Sequence, residues 1–172
     1  MQTENKIFFL EEQQFRESTV WVIFAATAII SIGIIVVLTM IGEIPNEEAI
    51  LPLILLTLAY ALTFFLFYSA KLDTKINEEG VCFRWLPFFK KYSCIRKEDI
   101  ISAEVRKRPW MQYGFKFVPG YGKIHYVSGE EGIQFYLKNG KKIFIGTTDT
   151  FSFINAIEKL TNIQIKAGTS EF

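Results

Sequence analysis

Val20–Ile41, VWVIFAATAIISIGIIVVLTMI, and Ala49–Ala70, AILPLILLTLAYALTFFLFYSA, decide the fold of this chain. Each run is 22 residues long and holds no Asp, Glu, Lys, Arg or His. At about 1.5 Å rise per residue, a helix of that length covers roughly 30 Å, the hydrocarbon thickness of a bilayer. Both runs are apolar all round, so either helix needs lipid or a large protein interior on every side. The chain has 172 residues, too few to enclose two such helices, and a transmembrane hairpin is expected at 20–70. The first run is too long for the apolar core of a signal peptide and lacks a strongly basic start. No small-residue cleavage motif stands out after it, so it is expected to be retained.

Flanking charge gives an orientation. The connector 42–48, GEIPNEE, carries three Glu and no Lys or Arg. Lys6 and Arg16 precede the first run, and Lys71, Lys75, Arg84, Lys90 and Lys91 follow the second. Basic flanks stay cytoplasmic, whereas acidic residues count little. The expected localisation is therefore the cell membrane, with two spans and both termini in the cytoplasm. Trp21 and Tyr68 suit an aromatic belt. Pro52 is expected in the first turn of the second helix, and Gly33 and Ala25–Ala26 offer small surfaces for helix contact. Neither span holds an ionisable group, which argues against transport through this hairpin alone. Residues 1–19 form a separate juxtamembrane segment. Its Glu-Glu-Gln-Gln run favours helix, and an amphipathic helix is expected over about 8–19.

After the hairpin the pattern changes to period two, the mark of strands with one buried face. Ile101, Ala103 and Val105 alternate with polar neighbours, as do Ile133, Phe135 and Leu137. Strands are expected at about 72–77, 81–86, 91–97, 101–107, 112–118, 123–128, 132–138 and 141–146. Asn139-Gly140 predicts a two-residue type I′ turn, with positive φ at both positions. A helix is expected at 150–161, with Phe153, Ile154, Ile157 and Leu160 inward and its N-cap at 148–150. The economical fold for 71–166 is a small antiparallel sandwich or partly open barrel with one C-terminal helix, an α+β arrangement overall. The tail 167–172 has no periodicity and is expected to be disordered.

Strands meandering toward one closing helix are the order of a PH-like domain. The stretch Lys75-Ile76-Asn77-Glu78-Glu79-Gly80-Val81 through Trp85-Leu86-Pro87-Phe88 resembles uncharacterised bacterial membrane proteins with two N-terminal transmembrane helices and a PH-like domain. So do Lys97-Glu98-Asp99-Ile100, Tyr113-Gly114, and Val127-Ser128-Gly129 through Gly132-Ile133-Gln134. Gly140-Lys141-Lys142-Ile143, Ile145-Gly146-Thr147, Glu12-Gln13 and Phe15-Arg16 extend the likeness over most of the chain. The resemblance implies a fold and a location. It brings no substrate and no catalytic residue.

Residues 71–172 carry a net charge of +6 and residues 1–70 a net charge of −5. A modestly basic domain is attracted to an anionic leaflet. Its basic groups are spread over the strands, which does not point to nucleic acid. If the first strand leaves the membrane, alternate turns return to it. The turn with Phe88, Phe89, Lys90 and Lys91 and the turn with Arg106, Lys107, Arg108 and Trp110 are then the expected membrane-facing patch, since aromatics beside cations suit headgroup level. The Glu130–Glu131 turn, also proximal by this count, speaks against it.

Catalytic and metal motifs are sparse. The one histidine, His125, reads as an ordinary strand residue, because a zinc site needs further ligands. Gly120-Tyr121-Gly122-Lys123 has Phe117 and Ile124 where a Walker motif needs Gly and Ser or Thr. Cys82 and Cys94 lack CxxC spacing and could face each other across neighbouring strands. In the cytoplasm they are expected to remain thiols, and a native 82–94 disulfide would place the domain outside. No enzyme and no cofactor is expected. The leading expectation is a membrane-anchored binding or scaffold module for a protein partner or lipid headgroups. The alternative is a structural subunit of a homo- or hetero-oligomeric membrane assembly.

Overall fold

The computed structural model describes residues 6–16, 18–109 and 114–167. They belong to two compact units, one built from the chain before residue 16 and after residue 69, the other from residues 16–69 between them.

The inserted unit is a pair of helices, α1 (Ser18–Met40) and α2 (Asn46–Ser69). Their mean hydropathies are 2.7 and 2.4, and both are long and apolar enough to cross a membrane. Hydroxyls that would be costly in lipid are satisfied within the helices: Thr39, Thr57 and Thr63 each donate to the carbonyl four residues earlier. Between the helices, the Ser31 and Tyr60 hydroxyls lie 3.0 Å apart, and Trp21 and Phe24 pack on Phe64. Two expectations change here. The helix α2 starts three residues early, with Glu47 and Glu48 in its first turn, where carboxylates suit the positive end of the helix dipole. Pro52 therefore lies inside the helix rather than in its first turn. A Cβ added at Gly33 would meet nothing within 4 Å, so Gly33 is not where the two helices touch.

The other unit holds two sheets. The first has the order β1-β2-β3-β4, from β1 (Ile7–Gln14), β2 (Lys71–Asn77), β3 (Gly80–Leu86) and β4 (Ser93–Arg96). The second uses β5 (Ile100–Lys107), β6 (Gly114–Val118), β7 (Gly122–Tyr126), β8 (Glu131–Leu137), β9 (Lys142–Thr147) and β10 (Lys166–Ala167). Its order is β10-β5-β8-β9-β7-β6. The pairing is mostly antiparallel, with parallel contacts at β7–β9 and β10–β5. The second sheet is thus not a simple meander. Gly122 permits the β7–β9 approach: its φ is +75°, and a Cβ there would lie 2.2 Å from the Lys142 carbonyl oxygen.

The helix α3 (Thr150–Thr161) closes the core. Asp149 caps it by accepting from the Ser152 N–H, and Phe153 and Ile157 are fully buried. These join Leu72, Ile76, Val81, Ile133, Phe135 and Ile145 between the sheets. A second cluster, Ile124, Tyr126 and Phe144, lies against Val118 and Tyr121. Gln134, read as outward-facing, is also fully buried, and its Nε2 donates to the Tyr121 carbonyl.

The largest departure is at the N-terminal flank. Residues 7–14 are a strand, not a helix, and pair with β2 from Ile7↔Asn77 to Gln14↔Lys71. Glu11 and Gln13 make long-range bonds that local propensity does not register. Gln13 is 2% exposed, donates to the Gly146 carbonyl and accepts from the Ser128 N–H. Glu11 accepts from the Thr147 hydroxyl and the Thr148 N–H, each at 2.7 Å. Phe9 packs edge-on against Phe153 at 5.0 Å.

Two smaller corrections concern strand detail. A bulge in β5 turns Ile101 outward, 58% exposed, and Ile100 takes the buried place. The β8–β9 turn is closed by the Gly140 N–H donating to the Leu137 carbonyl, and Gly140 alone has positive φ. It is therefore not a type I′ turn. Of the tail, Ala167 pairs in β10 and residues 168–172 lie outside the described residues.

Candidate functional site

Alternation along β3 sends Phe83 and Trp85 to the inner face, while Cys82 and Arg84 point to the other. In β7, the register Lys123↔Ile143 and His125↔Ile145 puts Lys123 and His125 on the inner face of the second sheet. Between them lies a cleft of about 540 Å³. Phe83, Trp85, Ile95 and Ile143 form apolar parts of its lining, and Phe89, Phe115 and Phe117 stand beside them. Phe89 and Phe115 meet edge-to-face at 5.6 Å, and Trp85 lies 5.9 Å from Phe115.

His125 is the polar centre of this cleft. Its Nδ1 accepts from the Trp85 indole N–H at 3.0 Å, and its ring sits 4.2 Å from Phe83. Burial first, and the Lys123 charge second, push its pKa down to about 4 from 6.5. The ring is thus neutral at physiological pH. An indole N–H can only donate, so Nδ1 is the unprotonated nitrogen and Nε2 carries the hydrogen.

The outer face of β3 carries a second polar group. Asp73 is 2% exposed and accepts from Arg84 Nε at 2.8 Å and from the Tyr92 hydroxyl at 2.6 Å. Burial, then the hydrogen bond to Asp73, raises the Tyr92 phenol to about 12. Arg84 and Lys75 both stack on the Tyr92 ring. The Arg84 and Tyr92 bonds all fall on Asp73 Oδ2, and its Oδ1 is buried without a hydrogen-bond partner among the described residues.

The residues expected at a membrane surface separate into two groups with different partners. Phe88 and Phe89 are 53% and 52% exposed, and Lys90 and Lys91 are also exposed. Phe89 and Lys91 line the cleft. Arg106 lies over the Tyr121 ring and 3.7 Å from Glu104. Arg108 bonds the Tyr126 hydroxyl, and Lys107 is exposed with its carbonyl accepting from Tyr121. Trp110 lies outside the described residues.

Cys82 and Cys94 face each other in register on β3 and β4 and are joined as a disulfide. This differs from the expectation of free thiols. The register puts the two sulfurs within reach in either compartment, so their closeness follows from strand pairing. Among the described residues, no group of three or more His, Cys, Asp or Glu could hold a metal ion. No family model, curated protein or solved structure matches the chain.

The cleft was not legible in the sequence. Its residues come from five strands and a turn, and Trp85 and His125 are 40 residues apart. The usable signal was His125 in alternation with the buried Ile124 and Tyr126, which put it on the opposite face of β7.

Proposed function

We propose that this chain is a membrane-anchored binding module that works without catalysis. In this reading α1 and α2 cross the bilayer, and the β unit, PH-like in character, offers a surface to a protein partner or to lipid. The observation that carries it is the place of the hairpin in the chain. It is inserted between two neighbouring strands, β1 and β2, whose pairing runs to Gln14↔Lys71. Only residues 15–17 and 70 connect strand to helix, so the β unit is tethered at two points by very short links. Such a tether keeps a binding surface at the membrane and favours partners that are themselves there. Phe88, Phe89, Lys90 and Lys91 support contact with headgroups, each cation adding about 1 kcal/mol near an anionic surface.

The proposed side is cytoplasmic, because Lys and Arg flank the strand ends of the hairpin and are missing from its connector. The Cys82–Cys94 pairing does not choose the side, since the register brings the sulfurs together in either compartment, and only a bond that persists in the native membrane would favour the opposite one. A second functional reading, a structural subunit, draws on Gly33, whose open surroundings leave room for another helix. Cross-linking in native membranes separates the two. A partner lipid or protein joined to the β unit supports the binding module. A homo-oligomer joined only through α1 supports the structural subunit.

A further inference from the structure

The cleft between the sheets has three properties that together describe a ligand. Its volume of about 540 Å³ lies within the range of roughly 300–1,000 Å³ common to small-molecule sites. Its lining is aromatic and aliphatic, and two of its rings, Phe115 and Phe117, are 52% and 74% exposed. Exposed rings beside a cleft that size are a cost to a free protein and a gain once an aliphatic chain covers them.

The charge at the cleft is one-sided. Lys91 and Lys123 line it and no Asp or Glu does among the described residues, while Lys116 pairs with Ile124 and so faces away from it. Arg84 points to the opposite face of β3, where it pairs with Asp73 at 2.7 Å. His125 adds a neutral donor, because its Nδ1 is taken by Trp85. An apolar trough with lysines and a neutral N–H donor matches a molecule with a long hydrocarbon chain and one anionic oxygen-bearing head.

We propose that this cleft binds a long-chain fatty acid, its chain against Phe83, Trp85, Phe89 and Phe115 and its carboxylate held by Lys91 or Lys123. The inference deepens the binding-module reading by giving the ligand class, and it rests on that reading for the source, since a bilayer supplies such amphiphiles. The lysines hold the carboxylate as point charges, and no bond to the ligand is made or broken.

The test uses the full chain in phosphatidylcholine nanodiscs with a photoreactive diazirine analogue of palmitate, and maps the adducts by mass spectrometry. Adducts on α1 and α2 report contact with the bilayer, and adducts on β3, β6 and β7 report the cleft, so anchor and ligand are read separately. The expected result is a cleft adduct competed by palmitate and much less by hexadecanol, which lacks the charge. The double variant Phe115→Glu/Phe117→Glu, altered only at exposed rings, is expected to cut the cleft adduct about tenfold, a loss of about 1.4 kcal/mol, and to leave the helix adducts unchanged. Lys91→Glu/Lys123→Glu is expected to reduce it similarly and to narrow the difference between palmitate and hexadecanol as competitors. Adducts confined to the helices overturn the proposal and leave the anchor standing. Equal competition by hexadecanol overturns the carboxylate assignment. A cleft filled instead by a second copy, seen as protomer cross-links through β6, overturns it as well.

Discussion

His125 illustrates how one side chain can make stability depend on pH. Its pKa is about 4 in the folded chain and 6.5 as the ordinary value, chiefly through burial. A depressed histidine binds fewer protons folded than unfolded, so its contribution is complete above about pH 6.5 and is lost as pH falls toward 4. The upper bound is about 3.5 kcal/mol, since each pKa unit is worth about 1.4 kcal/mol. His125→Gln is expected to flatten that part of the stability profile, measured by hydrogen exchange of the full chain in nanodiscs. An unchanged slope would remove His125 as its source. Gln13 gives a second test. Gln13→Ala leaves the Ser128 N–H and the Gly146 carbonyl without their side-chain partner, at an expected cost of about 1–3 kcal/mol. Faster exchange at Ser128 would report it.

Among the elements, β1 shows what a local reading misses. Glu11, Glu12, Gln13 and Gln14 are good helix formers, yet they form a strand because β2, β9 and the loop before α3 supply partners far away in sequence. Propensity is worth only tenths of a kcal/mol per residue, and tertiary contacts override it. The strands were legible from the apolar–polar alternation at Ile101–Val105 and Ile133–Leu137 and from the Asn139-Gly140 turn, although β2, β3 and β8 bury residues on both faces. The exceptions have physical reasons: a bulge moves Ile101 outward, and the second cluster buries Gln134. Phe9→Ala is expected to destabilise the β unit by about 3–5 kcal/mol, because it removes a buried ring from the contact with Phe153. Loss of exchange protection in β1 and the first turns of α3, with α1 and α2 unaffected, would be the signature. Tyr60→Phe is expected to cost only about 0.6 kcal/mol, the average for a hydrogen bond between membrane helices, read as a small drop in thermal stability in nanodiscs.

For the whole molecule the open quantities are its side and its solvent. Alkylation of native membranes without reductant tests the side. A cytoplasmic domain is expected to yield both Cys82 and Cys94 as modifiable thiols after unfolding. A pair that reacts only after reduction would place it in an oxidising compartment and reverse the orientation. Lipid is the proposed solvent of α1 and α2, whose membrane-length windows have no buried residues within the chain itself. Alkaline carbonate washing of cell membranes, followed by ultracentrifugation, tests this most directly. The protein is predicted to stay in the pellet and to be released only by detergent. Recovery in the carbonate supernatant as a folded, detergent-free species would contradict it.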